Sequence, residues 1–254
     1  MTTNAVFRAR LLAGDRLAGT FVKTPSPAVI EILGQTGLDF LVLDAEHVAM
    51  GRDVVDLCLL AGRATAIPML VRVPVASTEW IGSVLDSGAA GIMAPQVRSA
   101  AEAETIAAAV RYGPGGRGFS PSTPAAGYGR RSVAEHLELA GRETVLVCQI
   151  EDPEAALAAG AIAGVPGVDC LFVGPVDLAV ACGKTSPGDP DVVTLCRQIV
   201  GIAGEGKART GMFVGAAAQI PAWADAGACL FVVGTDQAFL KAGAAAALAP
   251  QAGD

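Results

Sequence analysis

Acidic, basic and imidazole side chains stand at the ends of several short apolar runs of this sequence. Asp44 and His47 follow one run, Arg72 closes the next, and Glu151 and Asp177 follow two later ones. If these runs are neighbouring parallel strands, the loops at their carboxyl ends share one face, where functional groups collect. The spacing therefore predicts one site that combines carboxylates, an imidazole and a guanidinium.

Glu151 and Asp177 offer two hard oxygen ligands, which suit a divalent ion such as Mg²⁺ or Mn²⁺ with positions left for water and substrate. A structural role is the alternative: Glu151 would favour the N-terminus of a helix opened by Asp152-Pro153, and Asp177 would cap the next helix. Because Gln149 and His47 are expected on the same rim, the metal interpretation is preferred. Ligation needs ionised carboxylates, so activity is expected to fall in acid.

The chain has two histidines, and only one lies at a predicted strand end. Asp44 precedes His47 by three residues, where a carboxylate could orient the ring and stabilise its protonated form for acid–base work. His136 lies in a predicted helix between Glu135 and Glu138, which favours a solvated surface position.

Arg72 interrupts an otherwise apolar strand. Burying an unpaired guanidinium is costly, so this side chain must meet a protein carboxylate or an anion of the ligand. Its planar fork suits a substrate carboxylate.

A long irregular segment, Tyr112–Arg131, is rich in Gly, Pro and Ser. Loops of this length inside a compact barrel are usually functional, which predicts an active-site element. Its glycines, Gly113–Gly118, match neither a Walker loop nor a dinucleotide fingerprint followed by a helix. We interpret the stretch as a flexible loop, with Arg117 as a candidate secondary anion contact.

The elements that must position these residues recur along the chain as an apolar, β-prone run followed by a helical pattern. The predicted strands are Gly19–Val22, Phe40–Leu43, Met69–Val73, Gly91–Ala94, Val145–Ile150, Cys170–Val173, Thr210–Val214 and Leu230–Val233. Continuous apolar runs are typical of strands buried on both faces of a parallel sheet. Helix starts are indicated at Ser26-Pro27, Ser99–Glu102 and Asp152-Pro153, and the longest helical pattern runs from Asp189 to Glu205. Together they predict a single-domain (β/α)₈ TIM barrel over residues 1–254.

Composition excludes several classes of protein. The net charge is −7 and no basic run of five residues occurs, which argues against a nucleic-acid partner. The sequence has no stretch of about 18 uncharged apolar residues that could span a bilayer, and the first 16 residues lack a secretory apolar core, so the cytoplasm is the expected location.

The six cysteines form no C-x-x-C pair and are expected to be buried hydrophobes. The alanine-rich tail after Lys241 is expected to form a last helix that packs on the barrel or on a neighbouring subunit.

Six segments resemble the HpcH/HpaI family of metal-dependent, class II pyruvate aldolases. In chain order they are GLDFLVLDAEH (37–47), VRVP (71–74), LDSGAAGIMAPQV (85–97), GGRG (115–118), QIE (149–151) and GVDCLFVGPVDLA (167–179). The resemblance runs from about Gly19 to Gly234. The D-x-E-H and G-P-x-D-L segments are specific together, although each alone is weak.

The resemblance implies a (β/α)₈ barrel assembled as a homohexamer, with Mg²⁺, Mn²⁺ or Co²⁺ bound by Glu151 and Asp177. It also implies that His47, supported by Asp44, acts in acid–base chemistry, and that Arg72 contacts the pyruvyl group.

Further binding residues follow from the same resemblance. Gln149 and the backbone of Gly174 and Pro175 are implied to line the pyruvate site. Asp86 matches a residue that the family uses near a subunit boundary, and a helix-end carboxylate is the alternative for it.

The implied reaction is reversible cleavage of a 4-hydroxy-2-oxo acid, of the 2-keto-3-deoxy-sugar-acid or hydroxy-oxo-dioate type, to pyruvate and an aldehyde. The sequence departs from the family in the irregular loop, where Tyr112–Gly118 has one proline fewer and Thr123–Tyr128 lacks an arginine. Substrate selection is expected there, which leaves the aldehyde partner open.

Three alternatives stay open. A Schiff-base aldolase would depend on Lys23, the one lysine at a predicted strand end. A lyase acting on coenzyme A thioesters is disfavoured by the shortage of basic residues. A non-catalytic, metal-stabilised barrel subunit would unfold or dissociate on chelation without any turnover to lose.

Overall fold

Eight parallel strands close into a barrel in which each strand pairs with the next along the chain and β8 pairs with β1. The computed structural model describes residues 1–202 and 208–248. The strands are β1 Leu17–Val22, β2 Phe40–Asp44, β3 Met69–Arg72, β4 Gly91–Ala94, β5 Val145–Ile150, β6 Cys170–Val173, β7 Arg209–Val214 and β8 Leu230–Thr235. The predicted (β/α)₈ barrel is confirmed, and each predicted strand end lies within two residues of the observed one.

Helices surround the barrel. They are α1 Thr3–Ala13, α2 Pro27–Leu33, α3 Arg52–Thr65, α4 Thr78–Asp86, α5 Ala100–Val110, α6 Val133–Glu143, α7 Pro153–Ala163, α8 Pro175–Ala181, α9 Pro190–Gly201, α10 Ile220–Ala224 and α11 Asp236–Leu248. The helix expected over Asp189–Glu205 is α9, and its expected end at Glu205 lies outside the described residues. Residues 249–254 of the expected single domain also lie outside them.

Two apolar layers hold the barrel together. The larger layer fills the space between the strands and the helices, and a smaller aromatic-rich cluster fills the interior. Helix α1, which the sequence did not predict, contributes Phe7 to that interior cluster, with its ring centroid 5.3 Å from that of Phe40. The strands approach closely at Gly91, where a Cβ would lie 2.1 Å from the carbonyl oxygen of Val145. Only glycine fits between β4 and β5 at that point.

The irregular segment between α5 and α6 folds back over α6. The Tyr112 hydroxyl lies 3.0 Å from His136 Nε2, and the Phe119 ring centroid is 5.8 Å from that of His136. His136 is therefore only 3% exposed. The prediction of a solvated His136 is wrong, because the aromatic side chains of the loop cover this face of α6. The two flanking glutamates had indicated a polar, exposed face.

Helix α11 lies largely in solvent. Its buried residue is Asp236, which accepts hydrogen bonds from the main-chain N–H groups of Lys23 and Thr24. Farther along, Leu240 and Leu248 are 73% and 84% exposed. The alanine-rich tail thus forms the expected helix but does not pack along the barrel. None of the helices described is long and apolar enough to cross a membrane.

The burial of His136 predicts a pH dependence of stability. Burial lowers the pKa of His136 below its ordinary value of 6.5, and the charges of Arg117 and Arg131 lower it further against the opposing charge of Asp86. Because the folded pKa is depressed, stability is full above pH 6.5 and falls as the pH drops from there toward the folded pKa, by at most about 1.4 kcal/mol per pH unit. Urea unfolding between pH 7.5 and 5 should show this loss in the wild type and not in His136→Gln. Equal slopes in the two proteins would contradict the assignment.

Candidate active site

A cavity of about 240 Å³ opens at the carboxyl ends of the strands. The residues that line it include Lys23, His47, Arg72, Gln149, Gly174 and Asp177. They come from the ends of β1, β2, β3, β5 and β6. The structure therefore brings together, on the rim that the strand ends predicted, most of the residues that the sequence singled out.

Arg72 and Asp44 form a buried bidentate ion pair. Arg72 Nε donates to Asp44 Oδ1 over 3.0 Å, and Nη2 donates to Oδ2 over 2.7 Å. The two residues are directly opposite each other in the β2–β3 register, which explains the contact. The guanidinium also stacks 4.5 Å from the ring centroid of Phe21. The sequence expectation that Arg72 must meet an anion is met by a protein carboxylate.

Asp44 is held ionised by its surroundings. Burial alone would raise the pKa of Asp44, but the hydrogen bonds and charge of Arg72, the main-chain N–H of His47 and the charge of Lys23 together lower it below the ordinary value. The Lys23 ammonium lies 3.2 Å from Asp44 Oδ2. Lys23 was weighed from sequence only as a Schiff-base candidate, and its place directly after a strand was the signal for a role in the site.

The Asp44 carboxylate does not orient the His47 ring. It accepts hydrogen bonds from the main-chain N–H groups of Glu46 and His47, both over 3.2 Å, and so shapes the turn after β2. The His47 imidazole is half exposed, with Nε2 3.8 Å from Glu46 Oε2. The charged neighbour of the ring is therefore Glu46, which sequence reasoning missed although it stands in the same D-x-E-H run.

Glu151 and Asp177 converge on Gly174. A Cβ added at Gly174 would lie 3.2 Å from Glu151 Oε1 and 3.3 Å from Asp177 Oδ2. Gln149 Nε2 donates to Glu151 Oε1 over 2.6 Å, and the main-chain N–H of Gln96 donates to Oε2 over 3.1 Å. A Cβ at position 174 would press against both carboxylates, so glycine at this position leaves the space between them open.

Neither Glu151 nor Asp177 caps a helix with its side chain. The side chain that caps α7 is Asp152, which accepts from the main-chain N–H of Ala155 over 2.8 Å. At α8 the N-cap position is Gly174, and the helix has no side-chain cap. Glu151 directly precedes the capping residue of α7, and Asp177 lies in the first turn of α8, where negative charge suits a helix N-terminus, so that role and metal binding are compatible.

The electrostatics of this group fit a divalent cation. Burial raises the pKa of Glu151 to about 7, and the charges of Asp177 and Glu46 add to the effect. Two buried oxygens, Glu46 Oε2 and Gln149 Oε1, have no hydrogen-bond partner within the described ranges, although Glu46 Oε2 lies 3.3 Å from Arg72 Nε in an ion pair. No cluster of three or more His, Cys, Asp or Glu suited to a metal occurs in residues 1–202 and 208–248. Two carboxylates with remaining positions for water and substrate match what Mg²⁺ accepts.

Two predicted features lie elsewhere in the chain. Asp86, the last residue of α4, pairs with Arg117 of the irregular loop. In the part of the chain that the structure describes, neither Asp86 nor any residue of 112–131 lines the strand-end cavity. The loop is therefore not an active-site element of its own barrel, because it joins α5 to β5 through α6 and so lies toward the amino-terminal ends of the strands.

Comparison with known proteins points to one family. A family profile described as HpcH/HpaI aldolase/citrate lyase matches residues 17–242. The chain is 36% identical over 192 residues to the hydroxypyruvate/pyruvate aldolase of Pseudomonas aeruginosa, covering 73% of this chain and 70% of that one. It is 33% identical over 232 residues to the 5-keto-4-deoxy-D-glucarate aldolase of Shigella boydii, covering 91% and 90%.

Solved structures agree. An HpcH/HpaI aldolase/citrate lyase family protein from Burkholderia cenocepacia superimposes with a TM-score of 0.90 at 29% identity, covering 96% of this chain and 97% of that one. The citrate synthase SbnG superimposes with a TM-score of 0.85, also at 29% identity, covering 95% of each chain.

The Asp44–Arg72 pair predicts a large loss of stability on one-sided removal. Asp44→Asn removes the bidentate partner of the buried guanidinium and leaves it only Glu46, whose Oε2 lies 3.3 Å from Arg72 Nε, which should cost about 3 kcal/mol in free energy of unfolding by urea. Asp15→Asn, which breaks an exposed pair with Arg10, is the matched control and should cost under about 1 kcal/mol. The double variant Asp44→Asn/Arg72→Met should lose less than the sum of the single losses. Strict additivity would contradict the coupling.

The convergence at Gly174 predicts a steric test of the metal site. Gly174→Ala places a methyl group against both carboxylates while φ, at −95°, suits any residue. Affinity for Mn²⁺, measured by calorimetry, should fall roughly 10-fold or more, as is typical when ligand placement is disturbed. Gly160→Ala in α7, where a Cβ meets nothing within 4 Å, is the control. Unchanged affinity in Gly174→Ala would rule out ligation between these two carboxylates.

Proposed function

Because this chain belongs to the HpcH/HpaI aldolase/citrate lyase family and is a carbon–carbon lyase, we propose that it cleaves a 4-hydroxy-2-oxo acid reversibly to pyruvate and an aldehyde at the strand-end site. The observation that carries the proposal is the convergence of Glu151 and Asp177 beside the Arg72 guanidinium. Carboxylates and a fixed guanidinium suit the binding of a 2-oxo acid through a cation and a fork of donors.

Glu151 and Asp177 would hold the divalent ion. When bound, that ion supplies Lewis-acid catalysis by withdrawing charge from the keto group of the substrate. Gln149 positions Glu151 through its amide N–H and keeps its own Oε1 free inside the cavity. The choice among Mg²⁺, Mn²⁺ and Co²⁺ is a prediction that turnover with each ion would decide.

Arg72 would bind the pyruvyl end. Its Nε–H and one N–H of Nη2 donate to Asp44, so the second N–H of Nη2 and both N–H groups of Nη1 are left for a ligand oxygen. Since Asp44 and Phe21 hold the guanidinium in place before substrate arrives, little reorganisation is needed as negative charge develops on the keto acid.

His47 would move the proton. Its half-exposed ring lines the cavity and reaches solvent, so it can take the proton of the C4 hydroxyl and release it. The C3–C4 bond then breaks, its electron pair passes into the three-carbon fragment, and the aldehyde leaves. Protonation at C3 completes pyruvate.

The Schiff-base alternative is disfavoured by the contact of Lys23. Its ammonium is paired with Asp44 at 3.2 Å, whereas imine formation needs a neutral amine. The relatives named above support a hydroxy-oxo acid as substrate. The substrate would be of the sugar-acid or dioate type.

We also propose that the protein acts on small molecules and works as a homo-oligomer in which a second copy covers α11. The exposed apolar side chains of α11, including Leu240 and Leu248, support this arrangement. Asp86 would then lie near a boundary between copies. The hexameric count and the cytoplasmic location stay predictions.

Pyruvate release from a panel of 4-hydroxy-2-oxo acids tests the reaction. Activity should vanish with chelator and return with Mg²⁺, Mn²⁺ or Co²⁺. Glu151→Gln and Asp177→Asn should abolish the metal-dependent turnover, and Arg72→Ala should lower it by roughly 100-fold or more without removing the ion. Wild-type rates in these variants would overturn the site.

Borohydride trapping separates the two aldolase chemistries. Treatment with pyruvate and borohydride should leave no covalent adduct on the wild type, as read by mass spectrometry. An adduct that is lost in Lys23→Met would establish the Schiff-base mechanism instead.

A further inference from the structure

A second polar cavity lies at the opposite end of the barrel, and we propose that it binds a small oxyanion of the phosphate class. This amino-end cavity has a volume of about 220 Å³ and is defined here by Arg63, Arg117, Arg131, His136, Glu143 and Thr144. The proposal does not depend on the reaction catalysed at the strand-end site.

The position of the amino-end cavity separates it from the catalytic rim. Met69, the first residue of β3, and Thr144, directly before β5, both line it. It is also bordered by Thr2 at the start of α1 and by Arg63 at the end of α3. A ligand there would touch the beginnings of α1, β3 and β5 and the end of α3.

Positive charge exceeds negative charge around this cavity. Three guanidiniums line it, and Glu143 is the one carboxylate among the lining residues. Arg63 donates to the carbonyl of Ser87 and Arg131 to the carbonyl of Ala125. Within residues 1–202 and 208–248 neither of these two arginines forms an ion pair with an acidic side chain. Two guanidiniums thus line the cavity without a contact ion pair in that part of the chain, although the charge of Arg131 acts on the Glu143 carboxyl.

Two buried donors of the cavity wall have no partner in the described chain: Arg117 Nε and His136 Nδ1. The Arg117 side chain is 4% exposed and His136 is 3% exposed, so bulk water does not satisfy them. Leaving such a group unpaired costs free energy, and a native structure normally supplies a ligand or an ordered water.

The hydrogen bond between Tyr112 and His136 bears on which ring nitrogen of His136 carries the proton. The Tyr112 hydroxyl lies 3.0 Å from Nε2 and can donate to it or accept from it; in the proposed site the hydroxyl donates. The neutral imidazole then carries its proton on Nδ1. His136 lines the amino-end cavity and Tyr112 does not.

Donor character and size define the ligand. Guanidinium N–H groups and an imidazole N–H all donate, which selects a ligand with several acceptor oxygens and negative charge. A volume of about 220 Å³ far exceeds the roughly 10–15 Å³ that a single water needs, so the cavity has room for a phosphate group with a few waters. Inorganic phosphate or a small phosphate monoester meets these requirements.

Binding would stabilise the fold by mass action. A ligand held only by the folded chain raises the melting temperature as its concentration passes Kd. With inorganic phosphate as the probe and chloride replacing it at constant ionic strength, we expect Tm to rise by about 5 °C at 100 times Kd. Calorimetry should give a stoichiometry of one per chain, and added pyruvate should leave phosphate binding unchanged.

Two adjacent arginines provide a matched pair of variants. Arg131→Met removes a guanidinium that lines the cavity, whereas Arg130→Met removes an exposed one that donates to the carbonyl of Gly127. Both change the net charge equally. Phosphate affinity should fall about 10- to 100-fold in Arg131→Met and stay at the wild-type value in Arg130→Met.

Three outcomes would overturn the proposal. Equal stabilisation of both variants by phosphate would show a general salt effect. Competition by pyruvate would place the anion at the catalytic rim. No saturable binding of phosphate, or of glycerol phosphate as the monoester probe, would show that the cavity holds water alone. A separate assay of the turnover of 4-hydroxy-2-oxo acids distinguishes failure of the phosphate-site proposal from failure of the proposed catalytic function.

Discussion

The bidentate pair between Asp44 and Arg72 is the interaction on which the catalytic rim depends. A guanidinium at the end of a barrel strand can stay there only if its charge is met, and the β2–β3 register places the carboxylate directly opposite it. The same carboxylate orders the turn that carries His47 and draws in the Lys23 ammonium. One buried anion thus contacts two cations and holds the turn that carries the imidazole.

The other half of the rim has the opposite imbalance. Glu151, Asp177 and Glu46 bring negative charge together in a partly buried space, which is why the pKa of Glu151 is raised to about 7. A divalent cation between the carboxylates would relieve this repulsion, and a bound keto acid would meet that cation on one side and Arg72 on the other. Neither half of the site is neutral alone, so the carboxylates favour a bound cation and the guanidinium favours a bound anion.

The two ends of the barrel carry their polar groups for different reasons. At the carboxyl ends the functional side chains follow their strands within a few residues, so the barrel itself aims them. At the amino ends Arg117 and His136 arrive through the irregular loop and α6, and they are buried only because the loop folds back. A barrel can therefore hold a second polar pocket without disturbing the first.

Sequence alone determined the alternation of strands and helices, the barrel, and the placement of Arg72, Glu151 and Asp177 at strand ends. Strands buried on both faces, and the residues that end them, are local features of the sequence. It did not determine which side chains meet. The partner of Arg72, the turn-forming role of Asp44, the burial of His136, the separation of Asp86 from the cavity and the packing of α1 were decided by tertiary structure. Each depends on which distant segment lies alongside, and a pattern within one segment carries no information about its neighbour across the fold.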